Sequence, residues 1–395
     1  FNHLKQILVI RAGAVGDSVL LLPVLSALRV TCPESRIEVM GYRERLWFAE
    51  HPAYANRVVA FDQPEMGKFF LVNSHLPDDL VCYFRRFDLI ISYLHDRDGC
   101  FRENMKRIGI PHHFHYLPFP KEGEEVHIVN FLLAPLKALG IVPRTTVPKI
   151  FLSEDDRRFA CDYLSDLENS LAIYLRSKMS RCKVEQGVAP VGTYCHTPLD
   201  EGHPLIALHP GGGSPKKWWD VEKFAILRHT LQEEYGASIL ILSGPADIAI
   251  AEKLLSIVGS GPTRTFARDR YSVGAYCHTP LRIESNPKVT LVRDRSLREM
   301  AAILACCDLF VGNDSGFAHM AAALGVPSVV IFGPTDPDVW RPLGDHVDVV
   351  KGKDLESIEA NEVLEKIRRK KWALKEKSGL SSMLTISAHG VTMQP

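Results

Sequence analysis

Along most of the chain, short aliphatic and β-branched runs alternate with longer stretches whose apolar positions recur every three or four residues. The first pattern marks buried strands and the second amphipathic helices. In the first half, strands are expected at residues 6–10, 36–40, 57–60 and 88–92, and helices at 18–30, 69–85 and 126–139. The alternation restarts with strands at 204–208, 238–242, 289–292, 309–312 and 328–332. Between them lie helical patterns at 221–235, 248–258, 297–306 and 317–324. Strand-helix-strand repetition predicts an α/β protein with parallel sheets covered on both faces. Ile206-Ala207-Leu208 and Ser328-Val329-Val330-Ile331-Phe332 are apolar on both faces, as buried parallel strands require.

The alternation lapses between about 147 and 203, where polar turns, an amphipathic segment at 155–175 and a Gly/Pro-rich piece follow one another. We read this stretch as a connection between two doubly wound domains. The expected division is 1–150, a linker with an insertion at 151–203, a second domain at 204–355, a basic helix at 356–377 and a disordered tail at 378–395. In such sheets ligands bind outside the carboxyl ends of the strands, so the cleft between the two domains is the expected site.

Composition narrows the function classes. The 395 residues suit two or three domains, at about 150 residues each. Lys+Arg and Asp+Glu both total 47, which removes the strong basic field of sequence-independent nucleic-acid binding. The first apolar run, Ile7-Leu8-Val9-Ile10, is too short for a signal-peptide core, and no run approaches the roughly 18 apolar residues of a membrane span. Nine scattered cysteines point to a reducing compartment rather than a disulfide framework. A cytoplasmic location is therefore expected.

Four strand-to-helix junctions carry candidate chemistry. In Arg11-Ala12-Gly13-Ala14-Val15-Gly16-Asp17-Ser18, Gly13 and Gly16 permit a tight turn and close approach of a ligand. Asp17 either caps the helix or presents a carboxylate able to take a proton. His209-Pro210-Gly211-Gly212-Gly213-Ser214-Pro215-Lys216-Lys217-Trp218-Trp219 joins glycine amides to lysines, a combination suited to an anion. Gly312-Asn313-Asp314-Ser315-Gly316-Phe317-Ala318-His319 opens a helix whose free amides and dipole suit a phosphate, with His319 one turn in. In Ser243-Gly244-Pro245-Ala246-Asp247, Asp247 either binds ribose hydroxyls or begins a helix. Phe332-Gly333-Pro334-Thr335-Asp336-Pro337 adds a second loop on the rim.

Other signals are weaker. Asp96-Arg97-Asp98 has the form of a metal-binding triplet but reads as a solvated loop. Residues 366–377 hold seven basic residues and one acid, Glu376. They form a solvated helix face or a contact for an anionic membrane. Val191-Gly192-Thr193-Tyr194-Cys195-His196-Thr197-Pro198-Leu199 recurs, with one change, 82 residues later as Val273-Gly274-Ala275-Tyr276-Cys277-His278-Thr279-Pro280-Leu281. Nothing flanking it repeats, so a solenoid is excluded. Each Cys adjoins its own His, an arrangement poorly suited to one zinc ion, and both copies read as inserted surface segments.

Three of the junction motifs, at 11–17, 209–219 and 313–319, together with the rim loop at 332–337, resemble the lipopolysaccharide heptosyltransferases, glycosyltransferase family 9, over about 4–150 and 204–350. Gly325-Val326-Pro327 completes the set. The resemblance implies a GT-B fold, two Rossmann-like domains facing a cleft. It implies an ADP-activated L-glycero-D-manno-heptose donor on the second domain and a lipopolysaccharide inner-core or lipid-linked acceptor on the first. Transfer would invert the anomeric centre in one displacement, with no metal and no separate cofactor. Asp17 matches the general base and Lys217 the lysine that pairs with the donor phosphates. Gly212, Gly213, Ser214, Asp247, Asp314, Ser315, Gly316 and His319 would complete the donor site, and Arg11, Gly13 and Gly16 lie on the acceptor side. Asp247 stands where many members have a Glu that contacts ribose, and Asp220 replaces a Pro usual after the tryptophan. Expected partners are the nucleotide sugar, the acceptor and the anionic inner face of the membrane, not nucleic acid. Two other readings use the same residues: transfer from a different nucleotide sugar or to a different envelope glycan, and non-catalytic binding of a sugar nucleotide.

Overall fold

A computed structural model describes residues 4–110, 112–121, 123–167, 203–257, 264–265 and 289–370. Both copies of the repeated segment, most of the linker insertion, the basic segment beyond Lys370 and the tail lie outside the described residues. Two sheets are present, and every strand pair in them is parallel.

The first sheet has the order β3-β2-β1-β4-β5, with β1 Gln6–Ile10, β2 Arg36–Gly41, β3 Arg57–Ala60, β4 Leu89–Tyr93 and β5 His113–Tyr116. The second has the order β12-β11-β10-β6-β7-β9-β8. Its strands are β6 Leu205–His209, β7 Ser238–Leu242, β8 Arg264–Thr265, β9 Val289–Val292, β10 Leu309–Asn313, β11 Ser328–Phe332 and β12 Val347–Lys351. The central strands β4, β6, β10 and β11 are buried along their whole length, which is why their sequences are apolar on both faces.

Chain order reverses between β1 and β4 in the first sheet and between β6 and β10 in the second. At such a switch point the flanking connections leave on opposite faces and open a crevice at the strand ends. All four of the strands that bound these crevices run into loops named above: Arg11 follows β1, Leu94 and His95 lead from β4 to Asp96, Pro210 follows β6 and Asp314 follows β10.

The two sheets share one hydrophobic cluster, containing Val9 and Ile91 from the first, Ala207, Phe310 and Phe332 from the second, and Leu25 from the Leu22–Thr31 helix. Polar links reinforce it. The Ile150 amide donates to the Ala323 carbonyl at 2.8 Å. Asp156, on the Glu154–Leu167 helix, binds Arg298 at 2.6 and 3.1 Å. His127 Nε2 lies 2.9 Å from the Arg341 carbonyl.

Several elements differ from the sequence expectation. The pattern at 18–30 is two helices, Val15–Leu20 and Leu22–Thr31, because Pro23 occupies the first turn of the second. The stretch 69–85 begins as the end of a 3₁₀ turn, Pro64–Phe70, and becomes helical only at Asp78–Phe84, after Pro77. Strands β5 and β12 lie outside the expected set, as does the Cys100–Arg107 helix. The basic helix runs Ala360–Arg369, and three basic residues at its end are paired: Arg368 with Glu234, Arg369 with Glu365 at 3.3 Å and Lys370 with Asp348 at 3.6 Å.

Candidate active site

The first crevice is organised around a buried arginine. Arg11 is 2% exposed. Its Nη2 donates to Asp17 Oδ1 at 3.1 Å, its Nε to the Asp17 carbonyl at 3.1 Å and its Nη1 to the Pro118 carbonyl at 2.9 Å. Burial lowers the Arg11 pKa, and the facing Asp17 charge acts in the opposite direction. Asp17 is not the N-cap of its helix. Ala14 holds that position, and Asp17, three residues in, reaches back so that Oδ2 accepts from the Ala14 amide at 2.8 Å. Both oxygens are thus oriented, and the side chain keeps 14% of its surface. Gly13 permits this arrangement, because a Cβ there would lie 2.6 Å from the Asp17 Cβ.

The second crevice is denser. Asn313, wholly buried at the end of β10, donates to the Pro210 and Gly211 carbonyls at 2.7 and 3.0 Å and accepts from the Trp219 amide at 3.1 Å. One side chain therefore ties the β10 end to both ends of the glycine loop. Trp218 Nε1 donates to the Gly212 carbonyl at 3.1 Å. Gly212, with φ +151°, backs onto the Ser315 Cβ. Gly213 is exposed, with open space where a Cβ would be, and Ser214 accepts the Lys217 amide through its carbonyl at 3.0 Å. Lys217 Nζ donates to Asp314 Oδ2 at 2.6 Å, and Thr335 Oγ1 donates to the same oxygen at 2.7 Å. The rim loop after β11 thereby joins the site.

Asp247 is turned inward. It is 5% exposed, its Oδ2 lies 2.9 Å from His209 Nε2 and its Oδ1 accepts from the Gly244 amide at 2.7 Å. A ribose would have to displace one of these partners to reach the carboxylate. Asp220 caps the Val221–Tyr235 helix, accepting from the Glu222 amide at 2.8 Å, which gives the residue at that position a local role. Asp96 is not solvated: its side chain is 2% exposed and receives the amides of Phe101 and Arg102. Among the described residues no group of three or more His, Cys, Asp or Glu is placed to hold a metal ion.

The two crevices meet. The Val15–Leu20 helix packs against the Gly316–Ala323 helix near their amino-terminal ends. A Cβ on Gly316 would sit 3.0 Å from the Val15 Cβ and 3.2 Å from the Gly16 nitrogen, and one on Gly16 would sit 3.1 Å from His319 Cδ2. Only glycine at both positions permits this approach. His319 is 6% exposed. Burial pulls its pKa down to about 4, although the carboxylates of Asp314 and Asp17 favour the proton, so the imidazole is neutral at pH 7. Phe119 bridges the same region, facing Trp340 at 5.7 Å while Arg11 lies over its ring at 5.4 Å.

Two connected cavities open beside the first crevice. One, of about 590 Å³, lies between residues 71–73 and the Cys100–Arg107 helix, and the other, of about 380 Å³, reaches His95, Asp96 and Arg97 at the end of β4. Asn104 holds the outer wall by donating to the Phe69 and Leu71 carbonyls. Sequence reasoning included His209 in the glycine-loop motif but gave it no role of its own. Its signal was a polar residue ending a strand of otherwise apolar residues, at the carboxyl edge where ligands gather.

Two parallel-sheet domains whose switch-point loops face each other define a GT-B glycosyltransferase fold. Comparison with known proteins shows which family the chain resembles. The model of "Glycosyltransferase family 9 (heptosyltransferase)" matches residues 278–368. The lipopolysaccharide heptosyltransferase 3 of Escherichia coli (strain K12) is 23% identical over 344 residues, covering 84% of this chain and 83% of that one. A glycosyltransferase family 9 structure from Veillonella parvula superposes with a TM-score of 0.64 at 18% identity, over 92% of this chain and 96% of that one. The ADP-heptose lipopolysaccharide heptosyltransferase II of E. coli superposes with a TM-score of 0.63 at 19% identity, over 92% and 98%. The chain resembles glycosyltransferase family 9, with the family model on part of its second half and heptosyltransferase relatives at low identity along most of its length.

Proposed function

We propose that this chain moves a heptose from ADP-L-glycero-D-manno-heptose to a lipopolysaccharide inner-core acceptor, with inversion. The observation that carries the reading is the meeting of the two helix starts: Asp17 on one side, and Ser315, Gly316 and His319 on the other, joined through Gly16. An inverting displacement needs a base on the acceptor hydroxyl and positive field on the departing diphosphate. Asp17, oriented by Arg11 and still partly open, takes the proton. The first amides of the Gly316–Ala323 helix, with no side-chain cap on them, meet the diphosphate as its charge grows. Lys217 exchanges its Asp314 contact for the phosphates.

The glycine loop of Gly211, Gly212, Gly213 and Ser214 lies along the donor, and Asp247 orients that loop through His209. The acceptor enters from the cavities beside β4, where Asp98, Glu103, Lys106 and Arg107 offer charged partners to sugar hydroxyls and phosphates. No helix among the described residues is long and apolar enough to cross a membrane, and we place the enzyme at the cytoplasmic face, where a lipid-linked acceptor is displayed. Competition binding among ADP, UDP and GDP tests the donor assignment. ADP is expected to bind tightest; a clear preference for UDP would overturn it.

A further inference from the structure

Ser315 is the N-cap residue of the Gly316–Ala323 helix, yet its hydroxyl makes no bond to that helix. A serine in this place ordinarily accepts from the second or third helical amide and so closes the helix start. Here the hydroxyl is taken by His209 Nδ1, 3.1 Å away, while Nε2 of the same ring meets Asp247 Oδ2 at 2.9 Å. All three residues are buried, and the Phe317 ring packs edge-on against the imidazole at 4.7 Å. Burial alone would raise the Asp247 pKa, but the His209 bond and the Gly244 and Gly212 amides outweigh it and keep the group ionised. A carboxylate only accepts, so His209 Nε2 donates to Asp247, which leaves Nδ1 of the same ring facing the Ser315 hydroxyl.

We infer that His209 is a positioning residue for diphosphate binding: by holding the Ser315 hydroxyl away from the helix, it keeps the first helical amides open to the donor anion. This deepens the donor site proposed above and rests on that reading. Without His209 the hydroxyl is free to turn onto its own helix and compete with the diphosphate. A serine cap is worth about a fivefold factor in an equilibrium.

Calorimetric titration of the full chain with ADP tests the inference, with thermal melts alongside. His209→Ala is expected to weaken ADP binding about fivefold. Whatever Ser315→Ala does on its own, adding His209→Ala to it is expected to produce no further loss, because the competing hydroxyl is gone. His209→Asn, whose amide reaches Ser315 from the Nδ1 position without touching Asp247, is expected to recover most of the affinity, and His209→Gln is not. An equal loss in the Ser315→Ala background, or unchanged affinity in His209→Ala, would overturn the inference in favour of a purely structural histidine. If His209→Ala does not fold, the Asn variant decides: folded and tight-binding supports the inference, folded and weak contradicts it. Failure of the wild-type chain to bind ADP would instead remove the donor reading, and this inference with it.

Discussion

The two crevices are built on opposite plans. At the first, the proposed base is a single side chain. Asp17 sits on a six-residue helix, is held by one guanidinium and one amide, and keeps part of its surface open. At the second, the side chains around the proposed donor site are mostly buried and bonded to one another: Asn313 to the glycine loop, His209 to Asp247 and Ser315, Asp314 to Lys217 and Thr335. A base must reach a mobile acceptor hydroxyl, so it stays accessible. A diphosphate site gains most from amides fixed before the charge arrives, since preorganised dipoles need no rearrangement during reaction.

The contrast predicts different failures on the two sides. Asp17→Asn is expected to reduce transfer by on the order of 10²–10⁴ with ADP affinity and folding stability nearly unchanged. Steady-state transfer rates beside calorimetry check this, and loss of ADP binding would show that the two crevices are not separate in role. Asn313→Ala strips the buried loop of three bonds and leaves the Trp219 amide and two carbonyls unpaired. It is expected to destabilise by on the order of 3 kcal/mol, read as a lower urea midpoint. A variant as stable as wild type would mean that the loop holds itself.

Gly316→Ala forces the two helix starts apart by a few tenths of an ångström. About a tenfold drop in kcat with little change in stability is expected, because misalignment acts on the reacting geometry. The last effect is on pH. His319 and His113 are both lowered to about 4, chiefly by burial. The unfolded chain therefore binds protons below about pH 6.5 that the folded chain refuses until about pH 4. Stability is fully present above that window and falls through it on acidification, by up to about 1.4 kcal/mol per pH unit for each histidine. Urea midpoints between pH 7 and 4.5 should follow a shallower slope in His319→Gln than in wild type; identical slopes would exclude His319 as a source.

The central strands were legible because each is apolar on both faces, and the junction motifs because glycines and charged residues cluster where strands end. Edge strands were not. The His113–Tyr116 strand is polar and aromatic and half-buried throughout, since a sheet edge needs only partial cover. Pro23 reads as a helix interior residue until the chain is seen to restart at Leu22. At the site, the sequence pointed to Asp17, Lys217 and the residues from Asp314 to His319. It could not show that Asp247 faces inward to His209, or that Ser315 leaves its helix uncapped. Both depend on β6, β7 and β10 lying side by side, a contact between residues 38 and 106 positions apart.

The most direct test of the account is a mass-spectrometric assay of wild-type protein and Asp17→Asn with ADP-heptose and a set of truncated lipopolysaccharide core acceptors. The account predicts addition of a single heptose to at least one acceptor by the wild type and its loss in the variant. Donor binding without transfer to any acceptor, or undiminished transfer by Asp17→Asn, would contradict it.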